Sequence, residues 1–162
     1  MRKIVRIFPL LVIPALLLAF MPGKPKDTPK KFISIEQALK EKLITASFTG
    51  KGGHQGECID LEIKSLSPKD TIIRIEPGRR LVAKDSILQD ILIIKEVQLF
   101  LASGEKKEIS LFGFCCEATN SSPSQGAGFT VGYMEDSTFI VLAEFLSRSN
   151  LPLGVMQSSV WV

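Results

Sequence analysis

Cys58-Ile-Asp-Leu-Glu-Ile-Lys64 alternates without a break: Ile59, Leu61 and Ile63 fall on one side, and Asp60, Glu62 and Lys64 on the other. A period of two residues is that of a β-strand with one face buried and one in water, the usual antiparallel case. On its N-terminal side, Leu43 to Thr49 reads as a partner strand, joined through the loop Gly50-Lys-Gly-Gly-His-Gln-Gly56. On the other side, Thr71 to Ile75 is a strand stopped by Pro77-Gly78, and Arg80 to Lys84 is a short one. Residues 91 to 101 and 107 to 116 read as longer strands, with Ser103-Gly104-Glu105 as the hairpin turn between them. Phe129 to Tyr133 is a last short strand. Short strands with turn signals at this spacing predict a β-sandwich or barrel, not βαβ units; the fold expected is a mainly β, antiparallel β-sandwich with two or three short flanking helices.

The helices have signals of their own. Ser34-Ile-Glu-Gln37 is a capping-box pattern, and Ile35, Ala38, Leu39 and Leu43 follow at helical spacing, predicting a helix over 35–42. Asp136 or Ser137 caps a helix running through Phe139, Ile140, Ala143, Leu146 and Ser147. Leu153 to Val162 is read as a further helix packing Met156, Val160 and Trp161 onto the sheets. Thr119 to Gly128, rich in Ser, Gly, Pro and Asn, is a loop. No internal repeat is visible.

The first 23 residues are read apart from the domain. Arg2, Lys3 and Arg6 precede Ile7 to Pro22, 16 residues without a charge. A positive n-region followed by a Leu-rich h-region predicts export by a secretory signal. The run is shorter than the roughly 20 residues that span a bilayer comfortably, and it holds Pro9 and Pro14. Cleavage after Ala19 or Gly23 fits no good small-x-small pattern, so residues 1–23 are a signal peptide or an uncleaved membrane anchor. No Cys near the run allows a lipid-modified terminus. Residues 24–33 form a basic, Pro-rich linker, and 34–162 a single domain. Lys24, Lys26, Lys30 and Lys31 cluster in that linker, where they solvate it or draw it weakly to an anionic membrane surface. The chain's net charge of +3 resides in the leader, because residues 24–162 carry 17 Lys/Arg against 17 Asp/Glu. Without a concentrated basic field, nucleic-acid binding is not expected.

The three cysteines are the most informative polar residues. In an oxidising compartment thiols tend to pair, and three leave one over. Strict alternation places Cys58 beside Asp60 and Glu62. If Phe112 and Phe114 face the core, Cys115 emerges on the outer side too and Cys116 is buried. A Cys58–Cys115 disulfide is therefore expected, with a vicinal Cys115–Cys116 ring as a strained alternative. A zinc site from His54, Cys58, Cys115 and Cys116 is poorly served by adjacent strand cysteines, which point to opposite faces. Copper with Met134 or Met156 added has no better support. His54 is the one histidine, so Cys-His or Ser-His catalysis must use it. Its Gly-rich loop matches no phosphate-binding spacing and leads into a strand. Asn120-Ser-Ser122 is a formal glycosylation sequon. Ten Phe against one Tyr and one Trp suit a core better than a sugar-stacking platform.

Gly56-Glu-Cys58, Pro77-Gly78, Gln89-Asp90, Gly113-Phe-Cys115, Ser122-Pro123, Gln157 and Val160-Trp161 span positions 43–162. In these the chain resembles a poorly characterised group of exported bacterial proteins with a β-sandwich-like, Ig-like domain. The resemblance implies a secreted or surface-exposed module with Cys58 and Cys115 as recurring cysteines, and it brings no activity with it. The expectation is an exported, non-enzymatic structural or interaction module at the cell envelope or outside the cell, taking no cofactor. Its partner, a protein or a surface, would meet the loops at one end: Lys51, His54 and Gln55, and Asn120, Ser122 and Gln125. The alternative is a small secreted hydrolase or a thiol-redox or metal-binding protein using His54 and the cysteines.

Overall fold

The computed structural model of the chain describes residues 31–161; the leader and all but the last residues of the expected linker lie outside them. The elements are β1 (Phe32–Ser34), α1 (Ile35–Lys40), β2 (Ile44–Lys51), β3 (Gln55–Ser65), β4 (Thr71–Ile75), β5 (Arg79–Ala83), β6 (Ile91–Ile93), β7 (Val97–Leu101), β8 (Lys106–Cys115), β9 (Gln125–Met134), α2 (Ser137–Arg148) and α3 (Leu153–Val160). The mainly β expectation with short helices holds. The sandwich is replaced by a closed antiparallel barrel in the order β2-β3-β8-β6-β5-β9, beside a three-stranded sheet β1-β4-β7.

The strands curl into a barrel because their ladders are interrupted. Register shifts fall between Thr49 and Lys51, between Glu57 and Ile59, and between Arg79 and Leu81, and a bulge bends its strand and sharpens its twist. Glycine supplies the close approaches. A Cβ on Gly113 would stand 2.7 Å from the Leu92 carbonyl oxygen, and one on Gly132 would stand 3.0 Å from that of Arg80.

Two stretches divide differently from their sequence reading. Residues 91–101 are not one strand: β6 belongs to the barrel, whereas β7 pairs antiparallel with β4 in the small sheet. The turn at Ala102–Glu105 exists, with the Glu105 N–H donating to the Ala102 carbonyl at 3.1 Å. It joins strands of different sheets instead of closing a hairpin. The expected linker ends earlier than residue 33, because Phe32–Ser34 pairs parallel to β4 as β1. Ser34 caps α1, accepting from the Gln37 N–H at 3.1 Å; the Gln37 side chain turns to Glu41 instead of closing the box.

There are two cores. Ile59, Leu61, Ile63, Ile91, Ile93, Leu111 and Phe129 fill the barrel with Cys58 and Cys115, and α1 with the small sheet extends this core. Outside the barrel wall, Leu92, Ile94, Phe114 and Cys116 are covered by Ala143 and Leu146 of α2 and Met156 and Val160 of α3. Asp136 is the N-cap of α2, accepting from the backbone N–H groups of Thr138 and Phe139. Trp161 does not join Met156 and Val160 in the core, being 39% exposed.

Gly113→Ala should destabilise the fold by about 1–3 kcal/mol, since the added carbon meets β6 backbone that cannot yield. Gly154→Ala, where no atom lies within 4 Å and the site is helical, should be neutral or gain up to about 1 kcal/mol. Urea unfolding of the two variants checks the contrast.

Candidate functional site

The loops expected to bind do meet at one end of the barrel. The Gly53 N–H donates to the Pro123 carbonyl at 3.3 Å, and Lys51 pairs with Gln125 across β2 and β9. A Cβ on Gly52 would lie 3.6 Å from that of Gln125. Ser122 and Gln125 are exposed here; His54 and Gln55 are half-buried. Gly52 and Gly53 have φ of 84° and 107°, the left-handed region that lets the loop turn back on itself.

Two of the expected residues are occupied elsewhere. Lys51 reaches away along the barrel wall, its Nζ donating to the Ser110 hydroxyl at 2.8 Å and standing 3.6 Å from Asp60. Asn120 is pinned, its amide donating to Glu117 at 3.3 Å and to the Leu88 carbonyl at 3.5 Å. Gln55 keeps a buried side-chain carbonyl oxygen that has no hydrogen-bond partner among the described residues.

Three residues that the sequence reading did not place at this end complete it. The His54 ring stacks on Trp161 with centroids 6.2 Å apart. The indole N–H of Trp161 donates to Gln89 Oε1 at 3.3 Å, and Gln89 in turn donates to the Asn120 carbonyl at 2.9 Å. Gln157, 2% exposed, accepts from the Cys115 N–H at 3.2 Å and donates to its carbonyl at 2.8 Å, so α3 is clasped to the end of β8. The sequence expectation packs Trp161 into the core with Met156 and Val160, and Gln89 and Gln157 carry no periodic signal of their own.

The cysteines correct the expected staple. No disulfide joins Cys58 to Cys115; all three cysteines are free and buried. The bulge is the reason. Glu57 opposes Phe112 and Ile59 opposes Leu111, leaving Cys58 as the extra residue, so Cys58 and Ile59 both turn inward. Cys115 faces the barrel interior too, while Phe114 and Cys116 face the layer under the helices. Burial pushes the Cys58 thiol up to about 11 and the Cys115 thiol up to about 12, and raises Cys116 as well. A nucleophilic or redox-active cysteine needs the opposite shift. Among the described residues, no group of three or more His, Cys, Asp and Glu side chains is placed to hold a metal ion.

Where carboxylates do gather, a guanidinium fills the centre. Arg80 stands 3.2 Å from Asp90, 3.3 Å from Glu117 and in contact with Glu135, all three partly or mostly buried. Burial opposes its charge, but the bonds to Glu135 and Asp90 outweigh that and hold its pKa above the ordinary arginine value. Asp90 also accepts from the Ala83 N–H at 2.8 Å and donates its own N–H to Glu117 at 3.1 Å. The cluster ties β5, β6 and β9 to the segment leaving β8, and so fixes the base of the loop at 118–124.

Three outcomes follow from this chemistry. In native protein near pH 8 none of the three thiols should react quickly with a disulfide reagent, and all three should react in denaturant; one fast native thiol would contradict the buried arrangement. Unfolded thiols ionise near their ordinary 9.0 while the folded ones stay protonated. The unfolded state therefore releases protons first, and stability in urea should fall as pH rises from about 9 toward 11–12. Arg80→Met should cost about 3 kcal/mol by leaving three carboxylates uncompensated. That deficit should shrink as pH falls and they protonate. Comparison of the chain with protein-family models, with curated proteins and with solved structures returned no match.

Proposed function

We propose that this chain is an exported, non-catalytic interaction module whose partner meets the loop end of the barrel. The observation that carries the reading is the convergence of the 50–56 and 118–126 loops on one rigid edge. Gly53 is bonded to Pro123, and Trp161 and Gln89 brace the two loops from beneath. Loops held on a braced scaffold are where binding residues concentrate. The groups left available there are hydroxyls, amides, one imidazole and one indole, which suit a polar protein surface better than a strongly charged one. Trp161, 39% exposed, offers flat area of the kind that anchors protein interfaces, while its indole N–H is given to Gln89 within the domain.

The thiol-redox or hydrolase reading has less to support it. His54 has its ring against Trp161, and each cysteine is buried with its thiol pushed away from ionisation. The placement at the cell envelope or outside the cell comes from residues 1–23, where the leader is read from sequence.

Site-specific photocrosslinking tests the proposal. A photoreactive residue at Ser122 or Gln125 should give discrete adducts in envelope and extracellular fractions, whereas one at Lys40, exposed in α1, should give none. His54→Ala should reduce the adducts without lowering the melting temperature by more than a few degrees. Equal labelling from Lys40, or adducts unaffected by loop substitutions, would remove the loop end as the contact.

A further inference from the structure

The second core needs α2 and α3 to cover it, and their outer sides are then left apolar. On α2, Val141 is 65% and Phe145 57% exposed, four residues apart and so one above the other. Leu151-Pro152-Leu153-Gly154-Val155 is exposed at every residue, with Val155 49% exposed. A run of consecutive exposed apolar residues is uncommon unless something covers it. A crevice of about 280 Å³ is lined by Thr138, Phe139 and Leu142 of α2 and Ser159 of α3. Residues 137–162 contain only two charges, Glu144 and Arg148, of opposite sign, and none after Arg148.

We infer that this apolar, net-neutral face of α2, α3 and the turn joining them, on which Glu144 and Arg148 are the charges and offset each other, seats against a lipid bilayer. The chain outside the described residues favours this occupant over a second copy. Ile7 to Pro22 is uncharged and is bounded by Arg2, Lys3 and Arg6 on one side and by Lys24, Lys26, Lys30 and Lys31 on the other. Nine residues, Gly23 to Lys31, then lead into β1, and nine residues extend at most about 30 Å. With Ile7–Pro22 held in a bilayer, the domain stays within about its own diameter of the lipid. At that effective concentration a modest apolar contact is enough to seat it, and the linker lysines are drawn to anionic headgroups. Seating by this face takes residues 1–23 as the uncleaved anchor of the two readings given for them, and rests on the envelope placement proposed above, not on what the loop end binds.

The one tryptophan borders the face and reports on it. Leu153 lies 3.8 Å from where a Cβ on Gly56 would stand, and Trp161 stacks on His54 two residues away. The full-length chain is reconstituted in vesicles of phosphatidylcholine and phosphatidylglycerol, with and without bromine on the acyl chains. Trp161 fluorescence should be quenched by the brominated lipid. Phe145→Glu with Leu153→Glu, both at exposed positions, should abolish the quenching while leaving the amount of protein in the vesicles unchanged. Phe145→Ser with Leu153→Ser should weaken it, and serves if circular dichroism finds the glutamates misfolded. Equal emission from both vesicles overturns the inference, as does quenching that survives both pairs of substitutions. A dimer broken by the same substitutions would assign the face to a second copy instead. Crosslinks from Ser122 and Gln125 report on the loop end alone, so either result stands without the other.

Discussion

At Gly113 the β8 backbone passes so close to β6 that a Cβ would meet Ile91 at 2.6 Å and the Leu92 carbonyl oxygen at 2.7 Å. That contact lets β6, three residues long, complete the wall between β8 and β5. Once the wall is closed, the last half of β8 has no solvent side. Leu111 and Cys115 point into the barrel, while Phe112 and Phe114 point outward beneath the helices. Exposed, that second face would carry two phenylalanines set edge to face with centroids 5.7 Å apart. Helices α2 and α3 are therefore a consequence of the barrel wall, added to cover it, and Gln157 completes the join by taking both backbone groups of Cys115.

The paired arginines at the start of β5 show how polar contacts assist this closure. Successive strand residues point to opposite faces, so Arg79 and Arg80 join different neighbours. Arg79, 2% exposed, bonds to Glu36 of α1, to Glu76 and to the Gly132 carbonyl, linking α1 to the barrel. Arg80 gathers Asp90, Glu117 and Glu135 at the loop end. Buried ion pairs contribute little net stability against apolar substitutes, yet breaking one leaves a charge stranded.

Alternation was legible in sequence wherever one face met the core and the other met water. Ile59, Leu61 and Ile63 are fully buried and Asp60, Glu62 and Lys64 exposed, as the period of two requires. The same rule misplaced Cys58, because one inserted residue resets the parity and a bulge has no side-chain signature of its own. It also misjudged Cys115, because a strand buried on both faces has no polar side by which to tell inside from outside. Residues 91–101 looked continuous because Ile94 to Glu96, which carry the chain from one sheet to another, do so without Gly or Pro. Of the loop end, the two loops were legible from their composition, whereas Trp161 and Gln89 beneath them were not, since both are positioned by tertiary contacts.

The loop end and the helical face differ in chemistry because they relate differently to β8. At the loop end the ladder stops, so backbone groups must find other partners, and Gln157, His54 and Pro123 supply them. The result is a polar edge whose shape is set by hydrogen bonds. On the helical face the strand's own side chains are already covered, and the helices satisfy their backbone groups internally. What remains outward is side-chain character alone, and along 149–162 that character carries no charge. A directional polar edge discriminates between partners because a mismatched group leaves a donor or acceptor unpaired. A smooth apolar face discriminates weakly and favours anything that excludes water. The two surfaces therefore differ in the contacts they can make, directional and polar at the loops and apolar at the helices, and one strand buried on both sides is what makes them distinct.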